Sequence, residues 1–150
     1  MKTFKQFYLS EAEFKFPNWE EYLKTNPQFN DALEILKILN GKNKEYTSLI
    51  VGGAVRDAIM GTPAHDIDIA TNRPMEETEK LFKTHDIGKN KQFSIIVIEY
   101  KGNNYEVSNY RADGDYSDGR RPDSISIVKD FKKDSARRDF RLNSLGIDAN

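Results

Sequence analysis

Two aspartates, Asp66 and Asp68, stand one residue apart in the stretch Asp66-Ile67-Asp68-Ile69-Ala70. Polar and apolar residues alternate there as in a half-buried strand, and strand residues two apart project from one face. The two carboxylates are therefore predicted to sit side by side, with Ile67 and Ile69 turned into the core. Adjacent carboxylates repel, and one takes up a proton unless a cation neutralises the pair. Hard oxygen ligands at this spacing suit Mg²⁺, which keeps several waters and accepts phosphate oxygens from a substrate. Taken alone, Asp-x-Asp is a common pattern and more often marks a solvent-facing strand edge.

The residues upstream change that balance. Ser48-Leu49-Ile50-Val51 is a short apolar strand that runs into Gly52-Gly53, and a helix fits Ala54 to Met60 before the breaker Gly61-Thr62-Pro63. Glycines between strand and helix let backbone approach a phosphate, and the following helix start offers unpaired N–H groups. Arg56 lies one turn into that helix and carries a planar fork of donors suited to the same anion. The order strand, Gly-Gly, helix with Arg, turn, strand with paired carboxylates sets a phosphate cradle beside a metal site.

The elements that must hold these residues describe an α+β domain with a mixed sheet flanked by helices. A helix is predicted from Asn30 or Asp31 to Asn40-Gly41, with Ala32, Leu33, Ile35, Leu36 and Leu39 on one face. Pro74 opens a further helix through Phe82. Phe93 to Tyr100 and Tyr105 to Tyr110 read as strands around the turn Lys101-Gly102-Asn103-Asn104. Ala112 to Pro122, rich in Gly and Asp, reads as a mobile loop. Ser124 to Val128 is a strand, Ser135 to Asn143 a short helix, and Leu145 to Asp148 a last strand. Residues 1–28, aromatic and charged without a clean period, read as an extension to a catalytic domain spanning 29–150.

Composition narrows the classes. A length of 150 residues suits one domain with its own core. The absence of cysteine excludes a disulfide scaffold, a thiolate zinc site and a thiol nucleophile, and accords with a reducing compartment. No apolar run reaches membrane-spanning length, so the expected location is the cytoplasm, without a membrane partner. The net charge of −1 means that any surface for nucleic acid must be local. The C-terminal third, with Arg120, Arg121, Lys129, Lys132, Lys133, Arg137, Arg138 and Arg141, is the candidate, although a solvated face explains those charges nearly as well.

Three ordered segments carry a family resemblance. Leu49–Thr71, LIVGGAVRDAIMGTPAHDIDIAT, resembles the signature of class II CCA-adding enzymes and bacterial poly(A) polymerases, within the DNA polymerase β-like nucleotidyltransferase superfamily. Tyr105–Pro122, YEVSNYRADGDYSDGRRP, and Arg137–Asp148, RRDFRLNSLGID, are similar to two further blocks of that family. The resemblance implies a head (catalytic) domain that transfers a nucleoside monophosphate from ATP or CTP to an RNA 3′ end, tRNA above all, and releases pyrophosphate. It implies a two-metal Mg²⁺ site on Asp66 and Asp68, with Glu106 as the third acid, either deprotonating the attacking hydroxyl or completing the metal site. It implies nucleotide contacts from Gly52, Gly53, Arg56, Arg138, Asp139 and Asn143, with Arg120 and Arg121 closing over the triphosphate. Arg141 departs from the family, which has Thr there, and Ser108-Asn109-Tyr110-Arg111 departs from its Thr-Thr-Phe-Arg. Family members continue into neck, body and tail domains that choose the base and grip tRNA, and a partner supplying those domains is one reading that stays open. Transfer to a protein or small molecule, or nucleotide binding without independent catalysis, stays open as an alternative.

Met1–Glu11 also resembles the leader of internal proteins of tailed bacteriophages, which a phage protease cuts after a Leu-x-Glu tripeptide, here Leu9-Ser10-Glu11. That resemblance implies a phage-encoded enzyme in the host cytoplasm or the virion, with a mature start at Ala12. The simpler reading is a first helix that packs Phe4, Phe7 and Tyr8 on the head domain.

Overall fold

A computed structural model describes residues 18–85, 93–114, 124–138 and 145–149. The leader, Arg120, Arg121, Asp139, Arg141 and Asn143 lie outside the described residues. Helix α1 (Trp19–Thr25) is capped by Asn18, whose side-chain oxygen accepts from the backbone N–H groups of Glu20 and Glu21. Helix α2 (Pro27–Asn40) follows and closes on Gly41, at φ 55°. It begins upstream of the predicted Asn30 or Asp31, because Pro27 is preorganised for a first turn and gives up only an N–H that would be unpaired there. Helix α1, assigned to the extension by sequence, is packed rather than appended. Tyr22 is buried, stacks edge-on to Phe29 at 5.5 Å between centroids, and donates its hydroxyl to the Thr62 carbonyl at 3.0 Å.

Among the described residues the principal sheet has six strands. They are β1 (Ser48–Val51), β2 (Asp68–Thr71), β3 (Lys83–His85), β4 (Ile95–Tyr100), β5 (Asn103–Asn109) and β8 (Gly146–Ile147), in the spatial order β3-β4-β5-β2-β1-β8. Only β2 and β5 run parallel; every other neighbouring pair is antiparallel, so the sheet is mixed as expected. A second sheet pairs β6 (Arg111–Asp113) with β7 (Ile125–Ile127). Three short helices complete the described chain: α3 (Gly53–Ile59), α4 (Met75–Thr78) and α5 (Phe131–Ala136).

The main core lies on one face of the six-stranded sheet. There Phe29, Ile35, Leu36 and Leu39 of α2 and Val55 of α3 pack against Ile50, Ile69, Ile98 and Val107. Burial of each large side chain contributes about 1.5–3 kcal/mol. A smaller cluster of Val51, Ala70 and Tyr110, with Leu49, Val128 and Phe131 against it, occupies the other face.

Several boundaries differ from expectation. Helix α4 ends at Thr78 rather than Phe82, and the unforeseen edge strand β3 follows; Lys83-Thr84-His85 has no apolar alternation to announce it. The hairpin turn is Lys101-Gly102 alone, with φ 49° and 80°, the double positive φ that a tight hairpin needs, so Asn103 and Asn104 join β5. The start of the expected loop at Ala112 is instead strand β6. Helix α5 starts at Phe131, upstream of the predicted Ser135, because Asp130 caps it by accepting from the Lys132 N–H. Among the described residues no helix is long and apolar enough to cross a membrane.

Candidate active site

Strand β2 is the axis of the site. Its first residue, Asp68, sits opposite Val51 of β1 on one side and opposite Glu106 of β5 on the other. Ile67 and Ile69 belong to the main core, as the alternation predicts. Asp68 and Glu106 consequently emerge on the opposite face, the one that carries Val51 and Ala70. Strand β1 delivers the chain directly into Gly52, which adopts φ 75° and ψ −148°, a conformation reserved in practice for glycine. A Cβ on Gly52 would stand 3.5 Å from Asp68 Oδ2, so backbone and carboxylate are in close approach.

Asp66 is not where the alternation put it. The ladders from β2 to β1 and to β5 both begin at Asp68, and Asp66 lies before them, exposed, with φ 51°. Without a partner strand on either side the backbone is not held extended, and aspartate tolerates the left-handed region. The two aspartates are therefore neighbours through a bend, not one strand face. The loop that presents Asp66 is tied down by buried Ala64, by the Tyr22 hydroxyl on Thr62, and by Thr62, whose N–H and hydroxyl both donate to the Asp57 carbonyl.

Electrostatics single out Asp68. Burial first, and then the charge of Glu106, push its carboxyl up to about 6, with a smaller push from Asp66; Arg138 pulls the other way. A half-buried carboxyl with two acids about it and too little cationic compensation is an environment that a divalent ion would neutralise. Among the described residues no three His, Asp or Glu side chains form a ready metal cage. The donor set fits a hard cation completed by water and substrate oxygens rather than by protein alone.

Arg56 lies over Gly53, where a Cβ would meet its Nη2 at 3.4 Å. Its Nε and Nη2 donate to Asp57 Oδ1 at 3.0 and 2.8 Å, and the side chain is half exposed. Helix α3 places it beside the Gly-Gly turn, on the same segment that leads to Asp66.

Arg138 comes from the end of α5, and its orientation depends on a residue the sequence reading passed over. Asp134 is fully buried and receives Nε and Nη2 of Arg138 on Oδ2 at 3.1 and 2.9 Å. Its Oδ1 receives Nε and Nη2 of Arg137 at 3.1 and 3.0 Å and the Arg111 backbone N–H at 3.0 Å. Asp113 extends the network, with Oδ1 at 3.1 Å from Arg111 Nε and Oδ2 at 3.9 Å from Arg137 Nη1. A signal was available: Asp134, Arg137 and Arg138 stand at i, i+3 and i+4, the spacing that puts side chains on one helical face.

Comparison with known proteins places this geometry. The chain is 42% identical over 123 residues to the CCA-adding enzyme of Geobacillus thermodenitrificans, covering 81% of this chain and 30% of the relative. The CCA-adding enzyme of Staphylococcus saprophyticus is 41% identical over 127 residues, 84% of this chain and 31% of its own length. The crystal structure of Bacillus stearothermophilus CCA-adding enzyme in complex with CTP superposes with a TM-score of 0.69 at 36% identity, over 83% of this chain and 28% of that one. The chain thus spans about 30% of the length of the curated relatives it matches. Residues 48–150, from β1 through the acids to the end, match the family described as Poly A polymerase head domain, and the chain belongs to that family.

Proposed function

We propose that this domain transfers a nucleoside monophosphate from ATP or CTP to an RNA 3′-hydroxyl, in CCA addition or repair on tRNA or in oligo(A) addition. The observation that carries the reading is the convergence of Asp68, Glu106, the Gly52 turn and, through its charge, Arg138 at one end of β2. The names of the relatives and the CTP complex of the Bacillus stearothermophilus enzyme support it.

Asp66 and Asp68 are the residues that would hold Mg²⁺, in a two-metal arrangement that polarises the attacking hydroxyl and offsets charge on the leaving pyrophosphate. The chain's own groups do the rest. Gly52 and Gly53 admit the triphosphate close to the backbone, with Arg56 beside them. Arg138 faces the charge that develops on the reacting phosphate. Glu106, in register with Asp68, takes the proton of the 3′-hydroxyl as its oxygen bonds to the α-phosphorus, or else completes the acid set around the cation. The bond from the α-phosphorus to the bridging oxygen breaks in line, and pyrophosphate leaves. Asp139 and Asn143 complete the nucleotide pocket in this reading. RNA grip and base choice fall to further domains or a partner, and the cytoplasm is the place of action.

The test is incubation of the protein with tRNA lacking its terminal nucleotides, Mg²⁺ and labelled ATP or CTP. Label is expected on the RNA 3′ end. No incorporation from any nucleotide into any RNA by folded protein overturns the proposal, and label on a protein or small molecule redirects it to another acceptor.

A further inference from the structure

Arg138 lies near enough to Asp68 for its charge to act on that carboxyl. Its side chain is only 15% exposed, and among the described residues both side-chain hydrogen bonds of its guanidinium go to the carboxylate of Asp134, which is 0% exposed. A carboxylate removed from water costs several kcal/mol unless its lone pairs are filled by charged donors. Here Oδ2 is given wholly to the Nε–Nη2 edge of Arg138, while Oδ1 is taken by Arg137 and by the Arg111 N–H. The two side-on clamps sit back to back on one carboxylate, and Asp113 ties the far side to Arg111. Arg111 in turn donates Nη1 to the Phe93 carbonyl at 3.4 Å, next to the hairpin that carries Glu106. Two charge-assisted donors converging on one carboxylate oxygen hold the Nε–Nη2 edge of a guanidinium in place. Among the described residues no acceptor takes the side-chain N–H donors of Arg138 outside that edge, and these are the ones to meet a phosphate or sugar oxygen.

We propose that Asp134 is a positioning residue of the nucleotide site: by holding the Nε–Nη2 edge of Arg138, it presents the remaining guanidinium donors to the bound nucleotide in one preset orientation. The proposal rests on the nucleotidyl-transfer reading of the same site. Asparagine at this position keeps the volume but turns an N–H₂ group toward one of the two guanidinium edges, so Arg138 or Arg137 loses its clamp.

The experiment is calorimetric titration of the full chain with ATP and with CTP in Mg²⁺, a measurement that needs no turnover. Asp134→Asn and Arg138→Ala are each expected to weaken binding about tenfold or more, and the double variant to bind no more weakly than Arg138→Ala alone. Losses that add in the double variant, or an Asp134→Asn protein that binds like wild type, overturn the proposal. Should Asp134→Asn not fold, Arg138→Lys decides with Asp134 intact. Lysine keeps the charge and lacks the edge, so binding about tenfold weaker is expected, and wild-type affinity overturns the proposal. Wild-type protein that binds nucleotide but labels no RNA sinks the transfer reading and leaves the positioning result standing, whereas wild-type protein that binds neither nucleotide overturns both.

Discussion

The two faces of the six-stranded sheet are built from alternate residues of the same strands, and they do opposite work. One face is closed: Ile50, Ile69, Ile98 and Val107 are fully buried under α2 and α3. Among the described residues the other face carries a small apolar cluster around Val51, Ala70 and Tyr110, and beside it the strands turn out Asp68 and Glu106. Stability is thus concentrated on the face without chemistry. On the other, charge is left under-compensated at Asp68, while at Asp134 it is fully matched by arginine. A carboxylate short of partners marks where a ligand is to come; a carboxylate saturated with donors marks scaffolding for a neighbour.

The sharpest way to break this contrast is to remove charge from the open face. Asp68→Asn, and likewise Asp66→Asn, are expected to lower nucleotide incorporation into RNA by roughly 10³-fold or more with the circular dichroism of wild type. A variant that turns over near the wild-type rate with Mg²⁺ refutes the metal assignment. On the closed face, Ile69→Ala is expected to cost about 2–5 kcal/mol in denaturant unfolding, while the protein that remains folded keeps its turnover number. Equal damage to turnover per folded molecule would show that the faces are not separable.

Gly52→Ala probes the seam between them. The positive φ strains any side chain, while the Cβ itself would come only into ordinary van der Waals contact with Asp68 Oδ2, at 3.5 Å. A stability loss of about 1–3 kcal/mol is expected in urea melts, accompanied by a higher KM for the nucleotide. An alanine variant with unchanged KM separates Gly52 from the phosphate.

The smallest expected effect is on the pH dependence of stability. Asp68 has its carboxyl raised to about 6, above the ordinary value of 3.8, so folding favours the protonated form. Its contribution is fully present below pH 3.8 and is lost as pH rises through about 6. Asp68→Asn is then expected to be more stable than wild type at neutral pH by about 1 kcal/mol, after allowance for solvent screening, and to lose that advantage in acid. Thermal melts of both proteins from pH 4 to 8, without divalent ions, read the difference; an advantage that does not shrink toward pH 4 rules out the titration of Asp68 as its source.

Much of this was legible in the residue order. Short-range rules located β1, the Gly52 turn, α3 and the hairpin of β4 and β5, because alternation, glycine and helical spacing act over a few residues. They misplaced Asp66, since whether a residue before a strand stays extended depends on a partner ladder, and here both ladders start at Asp68. They missed β3, whose three residues are a strand only because β4 offers an edge.

Sequence alone determined the chemical inventory: paired aspartates, a glycine turn, a third acid on a strand and a basic pair in a short helix, in the order of a nucleotidyltransferase head. Tertiary structure alone decided which acids are neighbours. The parallel pairing of β2 with β5 sets Glu106, far along the chain, in register with Asp68, and the burial of Asp134 on α5 makes it the anchor of Arg138 rather than a surface acid. The physical reason is reach. Local propensity spans a turn or two of chain, whereas desolvation and the pairing of charges depend on what the folded chain brings within a few ångströms.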